Sequence, residues 1–453
     1  MDPILRQSRR KYKELLADLD RRGLIYWSAT CRERCAIFFV KKKNGKLRLI
    51  MDARRGNLRF RDPPGVDLCS AECLGRKEID LTSPDDVGPA EGPGVTADAK
   101  RPCSPSLGMV DVRDCFLRMI LGGELSEFFA LPGLSVDEAR GVRGAAGRGG
   151  ETTTEDFGLV PDDNFVGEVF PCLRCLPMGF SWSLWFAQNT NEHLAQREPL
   201  LSAATRISDR GQPPVLRPGD SSPKHYVYVD NLGIIGLDPA LVERALKGGI
   251  DALEGAGLST HERAFGSSTM DMLGVELNPA YRCTRLTDSR YWRLERGIDA
   301  ALRRRRLSGR AVEAILGHCT FAGLLNRASL SIFHASYKFI RLHYDVPTAL
   351  WDSVRSELQA FRDILPMIEA DWTLPWNPHV TVTDASNSGF GECTGVWDPR
   401  VVARHGRLQE RSRFRRGAVS ARSHALTQLE DLEKDGSGRL VVPADGDEPG
   451  SGT

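Results

Sequence analysis

The chain has no apolar run approaching the about 20 residues that a membrane-spanning helix needs, so no membrane partner is expected. Met1 to Asp20 is charged and helix-like, unlike a secretory signal, and the chain is not expected to be secreted. Charge of one sign is also lacking: 61 basic residues face 60 acidic ones, for a net charge of +1. Any nucleic-acid binding must therefore come from local basic patches. The candidates are Lys41 to Lys46, Arg303 to Arg306 and Arg404 to Arg422, although charge runs are most often solvated faces. An even cysteine framework is missing too. The 11 cysteines are odd in number and scattered, which fits a reducing, intracellular compartment. Cys172 and Cys175, and the pairs Cys31/Cys35 and Cys69/Cys73, have spacings compatible with zinc, but their apolar or mixed neighbours favour small buried thiols.

What is present is enough for large cores: 453 residues, 41% of them hydrophobic, a length that suggests about two to three domains. Residues 3 to 22 read as an amphipathic helix, and 25 to 53 as strands joined by an Asn44-Gly45 turn. Stretches rich in Gly, Pro and Ser near 81–106, 134–164 and 209–223 read as loop insertions. Helical spacing returns at 239–256, 311–327 and 332–344. Residues 430–453 are acidic, Gly-rich and expected to be disordered.

Two acids carry the chemistry. Tyr226-Val-Tyr-Val-Asp230-Asn231-Leu-Gly is a β-rich apolar run with one acid at its centre. A carboxylate lifted into a hairpin tip between apolar strands is costly to bury unless a cation or hydrogen bonds meet it. Alone, it would read as an ordinary turn acid. Gly108-Met-Val-Asp111-Val-Arg-Asp114-Cys-Phe116 repeats the pattern, with an acid directly after an apolar run. Two such carboxylates suit Mg²⁺, which binds few protein carboxylates and shares its shell with phosphates and water, and hence two-metal phosphoryl transfer.

These segments resemble, in order and rough spacing, the polymerase domain of a retroelement reverse transcriptase, an RNA-directed DNA polymerase. The resemblance covers about residues 25 to 345. It runs through Phe38-Phe-Val-Lys41-Lys42-Lys43-Asn-Gly45-Lys-Leu-Arg48 and on to Asn57, the Asp111 segment, Leu176-Pro177-Met178-Gly179-Phe180 and on to Gln188, the Asp230 box, and Met272-Leu273-Gly274 and on to Leu277. It implies an α/β (α+β) right-hand fold: an N-terminal helix (1–24), fingers and an antiparallel palm sheet (25–280), and a helical thumb and connection (281–370).

By the same resemblance, Asp111 and Asp230 hold Mg²⁺, which Mn²⁺ can replace, with Asn231 beside them in the catalytic set. The substrates are deoxynucleoside triphosphates and an RNA or DNA template-primer. Lys42 and Arg48 grip the triphosphate. Phe116 bars ribonucleotides, where the ordinary reading is a core Phe, and Asp114 and Met178 fall in the same substrate-binding set. Gly179 lets backbone approach template and nucleotide closely. Nuclear residence follows from the life cycle of such elements.

The departures are specific. Asn231 stands where the family has a second consecutive acid, and removes a charge. Pro177-Met178-Gly179 replaces a Gln with Met. Gly257-Leu-Ser-Thr-His261-Glu262-Arg263 lacks the Lys that relatives use as a proton donor, leaving His261 or Arg263 as substitutes, although Arg is a poor acid. His379-Val-Thr-Val-Thr383-Asp384 resembles the opening strand of a ribonuclease H-like domain, with Asp384 as its first metal carboxylate, but no second or third element is evident after 376–400 before the basic, then acidic 401–453. The alternatives to a polymerase are therefore a decayed copy that at most binds nucleic acid, and a metal-dependent nuclease using the same two acids.

Overall fold

The structure is a computed structural model that describes residues 2–42, 45–80, 104–147, 158, 160–161, 165–386 and 389–407. The chain divides into two units, one comprising Met1–Pro63 and Gly122–Trp182 and the other Pro64–Leu121 and Ser183–Arg411; residues 412–453 lie outside the described residues. Most of 81–106, the Lys43-Asn44 pair, much of 148–164, residues 408–422 of the basic run and the acidic tail also lie outside them. Among the described residues no helix is long and apolar enough to cross a membrane.

In the first unit, the single helix expected over 3–22 is two, Pro3–Gln7 and Arg9–Arg21. Ser8 breaks it: its backbone is extended, and its hydroxyl accepts from Lys11 N to cap the second helix. Tyr12, Leu16, Ala17 and Leu19 form the buried face, which packs on a helix at Val136–Ala145. That helix corrects the reading of 134–164 as loop throughout. Ser135 and Glu138 form a complete capping box, and Val136, Ala139 and Val142 recur at helical spacing and are buried. The Arg9 guanidinium also donates to both oxygens of Glu138, at 3.1 and 2.5 Å.

The Lys-rich segment forms a two-stranded antiparallel hairpin, Ala36–Lys41 with Leu47–Asp52. Lys42 lies one residue past the strand end, its N–H bonded to Lys46 O at 2.7 Å, and Arg48 is exposed opposite Val40. A second pair, Ile25–Ser28 with Phe170–Leu173, carries Cys172. Cys172 and Cys175 are buried thiols, and burial pushes Cys175 up to about 12. Phe60 stacks edge-on to Phe128 and Phe180, each at 4.9 Å between ring centres.

The second unit is built on an antiparallel sheet with strand order Thr260–Gly266, Ser106–Val112, Asn231–Gly236, Lys224–Tyr228. Helices Ser183–Ala195 and Pro239–Gly255 pack against it. The second matches the expected 239–256 to within one residue; Asp238 caps it, its side chain accepting from Ala240 N, and Pro239 stands at its first position. Gly108 admits this helix: a Cβ there would lie 3.2 Å from Leu246. Successive strand residues alternate faces, so Leu107, Met109 and Asp111 look away from Leu246. Leu107 and Met109 meet a large core containing Tyr226, Ile235, Leu277, Ile298, Leu316 and Phe361.

A further antiparallel sheet, Met270–Met272, Val275–Asn278, Cys283–Leu286 and Glu369–Asp371, joins helices Asp288–Leu302, Gly309–Gly323, Ala335–Leu342 and Asp352–Ile364 around that core. Lys77 is buried within it. Its Nζ donates to Leu74 O at 2.6 Å and Thr284 Oγ1 at 2.8 Å, and lies 3.9 Å from the Trp372 ring centre. The 209–223 stretch contains one short strand, Val215–Leu216, parallel to Glu78–Ile79. Asp384 lies on a two-stranded hairpin, His379–Ser386 with Gly389–Val396, opposite Gly391. Val382 and Phe390 there are exposed.

Candidate active site

The register of the first sheet places four residues in one row across its strands. His261 pairs with Asp111, Asp111 with Asn231, and Asn231 with Tyr228. Directly opposed strand residues point to the same face, so this row forms a polar margin at one end of the sheet face that carries Leu107 and Met109. Asp230 adjoins it in the turn, where its carbonyl accepts from Val112 N at 2.8 Å and continues the ladder to the Asp111 strand. The two acids far apart in sequence are thus neighbours.

Their electrostatics follow from that placement. The Asp111 side chain is 20% exposed. Burial, and then the charge of Asp230, push its carboxyl up to about 6, while His261 and a hydrogen bond from Asn231 draw it back down. His261 Nδ1 lies 3.2 Å from Asp111 O and 3.4 Å from Asp111 Oδ1. Asn231 Nδ2 donates to Asp230 Oδ1 at 3.1 Å. Carboxylates only accept, so the Asn231 amide meets both acids with its N–H₂ edge and ties them together.

The turn is held in a conformation its sequence resists. Tyr228 and Asn231 pair directly, leaving Val229 and Asp230 as a two-residue turn, and Val229 has φ +57°. Two-residue hairpin turns usually place Gly, Asn or Asp at positive φ. For a β-branched residue this region costs of order 1–3 kcal/mol. Gln188 and Asn191, from the helix Ser183–Ala195, supply the compensating bonds: Gln188 Oε1 accepts from Val229 N at 2.7 Å, its Nε2 donates to Val227 O at 2.8 Å, and Asn191 Nδ2 donates to Val229 O. The sequence reading gives neither a role, although Gln188 closes the segment that begins at Leu176. Their signal was a polar pair three apart among the helix positions that Ala187, Leu194 and Ala195 bury.

The other expected site residues divide between the units. Asp114 follows the Asp111 strand at φ +50° and is exposed, before the short helix Cys115–Arg118 that carries the half-buried Phe116. Cys115 is buried and accepts from Asn191 Nδ2 at 3.4 Å, with burial first and then the two acids pushing its thiol up to about 11. Arg263, an expected substitute for the absent Lys, is engaged by Glu254 and by Thr260 Oγ1. His261, the other substitute, is the one that reaches Asp111.

Lys42, Arg48, Met178 and Gly179 belong to the first unit. The need for Gly179 has an internal cause there. At φ +125° a Cβ would lie 2.0 Å from Met51 O, while Met51 N donates to Met178 O at 2.9 Å. Asn57 fixes the same turn, donating to Gly179 O at 3.0 Å and accepting from Ser181 N at 2.9 Å.

Among the described residues there is no group of three or more His, Cys, Asp or Glu side chains able to hold a metal, around Asp384 or elsewhere. Asp111 and Asp230 offer a two-carboxylate, all-oxygen set. That is the kind Mg²⁺ uses when substrate phosphates and water complete its shell, and the carboxylate repulsion that raises Asp111 is what a cation between them would relieve.

No protein-family model matches the chain, and no curated protein matches it by sequence. Solved structures do. Foamy viral protease-reverse transcriptase in complex with dsDNA is similar over 98% of this chain and 84% of its own, at 14% identity and TM-score 0.51. A dRH form of the same protein with ds DNA is similar over 91% of this chain and 66% of its own, also at 14% identity and TM-score 0.51. A complex with an RNA/DNA hybrid is similar over 98% and 56%, with TM-score 0.50. The chain thus spans just under two thirds of the dRH form and little more than half of the protein in the hybrid complex. What the likeness establishes is a reverse transcriptase-like fold of mixed α and β structure with small antiparallel sheets.

Proposed function

We propose that the chain is an RNA-directed DNA polymerase of retroelement type, extending a primer 3′-hydroxyl with deoxynucleoside triphosphates. The observation that carries this reading is the pairing of Asp111 with Asn231 across the sheet, which makes Asp230 its neighbour. In this reading the sheet is a palm, the Ala36–Asp52 hairpin belongs to fingers, and the helices between Asp288 and Ile364 are thumb and connection.

Asp111 and Asp230 would hold Mg²⁺. Bound there, the ion would lower the pKa of the attacking hydroxyl and neutralise charge on the phosphates. The chain's own residues do the rest. Lys42 and Arg48 bind triphosphate oxygens through charge-assisted hydrogen bonds. Phe116 narrows the space beside the sugar 2′ carbon and excludes a hydroxyl. His261 fixes the Asp111 main chain and side chain, and the Asn231 amide holds the two carboxylates together.

A second reading, a decayed copy that binds nucleic acid without turnover, is favoured by one observation: Asn231 stands directly opposite Asp111 in the polar row with a neutral amide. Primer extension on poly(rA)/oligo(dT) with Mg²⁺ and then Mn²⁺ separates the two. Extension supports the polymerase, duplex binding without extension the decayed copy, and strand cleavage a nuclease.

A further inference from the structure

The network behind the Asp230 turn is more extensive than a turn requires. Gln188 and Asn191 are 1% and 3% exposed, yet every bond described above goes from their amides to the backbone of 227–229 or to Cys115. Gln188 is itself oriented. Its Nε2 also donates to Glu192 Oε1 at 2.7 Å, Glu192 pairs with Arg206 at 2.8 Å, and Arg206 donates to Asp67 O at 2.6 Å. Asn191 Oδ1 is buried without a hydrogen-bond partner. A buried amide left half-satisfied is a cost, and what it retains is the donor to Val229 O.

We infer that Gln188 and Asn191 are positioning residues for Asp230: by clamping Val229 at positive φ they fix where the Asp230 carboxylate stands relative to Asp111, with Glu192 and Arg206 holding the clamp. The inference rests on the proposed metal role of Asp230. Its distinguishing feature is the dependence on Val229. A glycine in that position adopts positive φ without assistance, so the clamp matters only because a β-branched residue occupies the turn.

The test compares Gln188→Met, Asn191→Ser and the exposed-face control Asn189→Ala, each alone and combined with Val229→Gly, in the full chain. Two quantities are read: residue-resolved hydrogen exchange through 224–236, and Mn²⁺ affinity by electron paramagnetic resonance, with Asp230→Ala as reference. Gln188→Met and Asn191→Ser are expected to speed exchange at the turn by roughly tenfold while Leu232 to Ile235 stay protected. Both should weaken Mn²⁺ binding by about 10- to 100-fold, as loss of supporting partners does. Val229→Gly should restore most of that affinity.

Unchanged turn exchange, or a loosened turn with unchanged Mn²⁺ affinity, would overturn the inference. An equal loss of affinity with and without Val229→Gly would also overturn it, since it would indicate a general packing role. If the wild type shows no Mn²⁺ binding that Asp230→Ala removes, the functional reading itself fails, and the inference with it. That outcome is recognised in the wild type alone.

Discussion

The side-chain amide of Asn231 donates to Oδ1 of Asp230 at 3.1 Å, and Asn231 also stands directly opposite Asp111 in the sheet. Where the resemblance leads one to expect a third negative charge, the chain has a neutral group that holds the other two together. The metal-free site is thereby relieved of repulsion, and the same substitution leaves a bound cation with one charged ligand fewer.

Asn231→Asp should therefore act with opposite sign in the two states. Without metal, a third carboxylate beside two others is expected to lower the melting temperature. With Mn²⁺ or Mg²⁺ present, the added charge should raise metal affinity by roughly tenfold or more and recover the loss. Thermal melts with and without metal check both.

Asp111 gives the site a pH dependence. Its carboxyl is raised to about 6, by burial first and Asp230 second. A carboxyl raised on folding contributes stability that is complete below the ordinary value of about 3.9 and is lost as pH climbs through the folded value. The metal-free protein should lose stability between those limits, and Asp111→Asn should remove that slope. Mn²⁺ affinity, which needs the ionised carboxylate, should rise over the same window. Urea unfolding and metal titrations at a series of pH values measure the two.

Gly179→Ala should damage the first unit. A methyl group would meet Met51 O at 2.0 Å, on a backbone at φ +125°. A cost of about 2–4 kcal/mol is expected from the clash and the strained conformation together. The urea midpoint should fall in proportion. A change within about 0.5 kcal/mol, the range of an ordinary surface substitution, would contradict the internal role assigned to this glycine.

Lys77 is fully enclosed, and burial holds its amine well below its ordinary pKa. An amine lowered on folding costs stability, and the cost shrinks as pH rises towards the ordinary lysine value. Thr284 Oγ1 also lies 3.3 Å from Leu74 O, so that carbonyl keeps a donor without the lysine. Lys77→Met should therefore be neutral or stabilising at pH 7. Lys77→Ala, which opens a cavity, should cost about 2–4 kcal/mol. Denaturant unfolding of both variants at neutral pH decides the point.

Much of the site was legible because its signals are local. An acid after an apolar strand marks Asp111, and an acid within an apolar hairpin marks Asp230, so their elements could be read before their contact was known. The helical spacing over 239–256 likewise marked the helix Pro239–Gly255. What escaped depends on partners remote in sequence. Gln188 and Asn191 are ordinary polar residues on a helix until Val229 is seen against them. The helix at Val136–Ala145 was hidden by its glycines: composition spoke for a loop, while Ser135 and Glu138 wrote a capping box and three spaced apolar residues supplied a face for the N-terminal helix. The internal need for Gly179 is not legible in the sequence, because the Met51 carbonyl that lies against it is far away along the chain.

The central claim is that Asp111 and Asp230 form one catalytic centre, and the most direct measurement is primer extension on poly(rA)/oligo(dT) with Mg²⁺ and Mn²⁺, comparing the wild type with Asp111→Ala and Asp230→Ala. The account predicts synthesis by the wild type and its loss, by at least about a thousandfold, in each alanine variant. Synthesis that survives either substitution, or a folded wild type that binds the duplex and extends nothing with either metal, would contradict it.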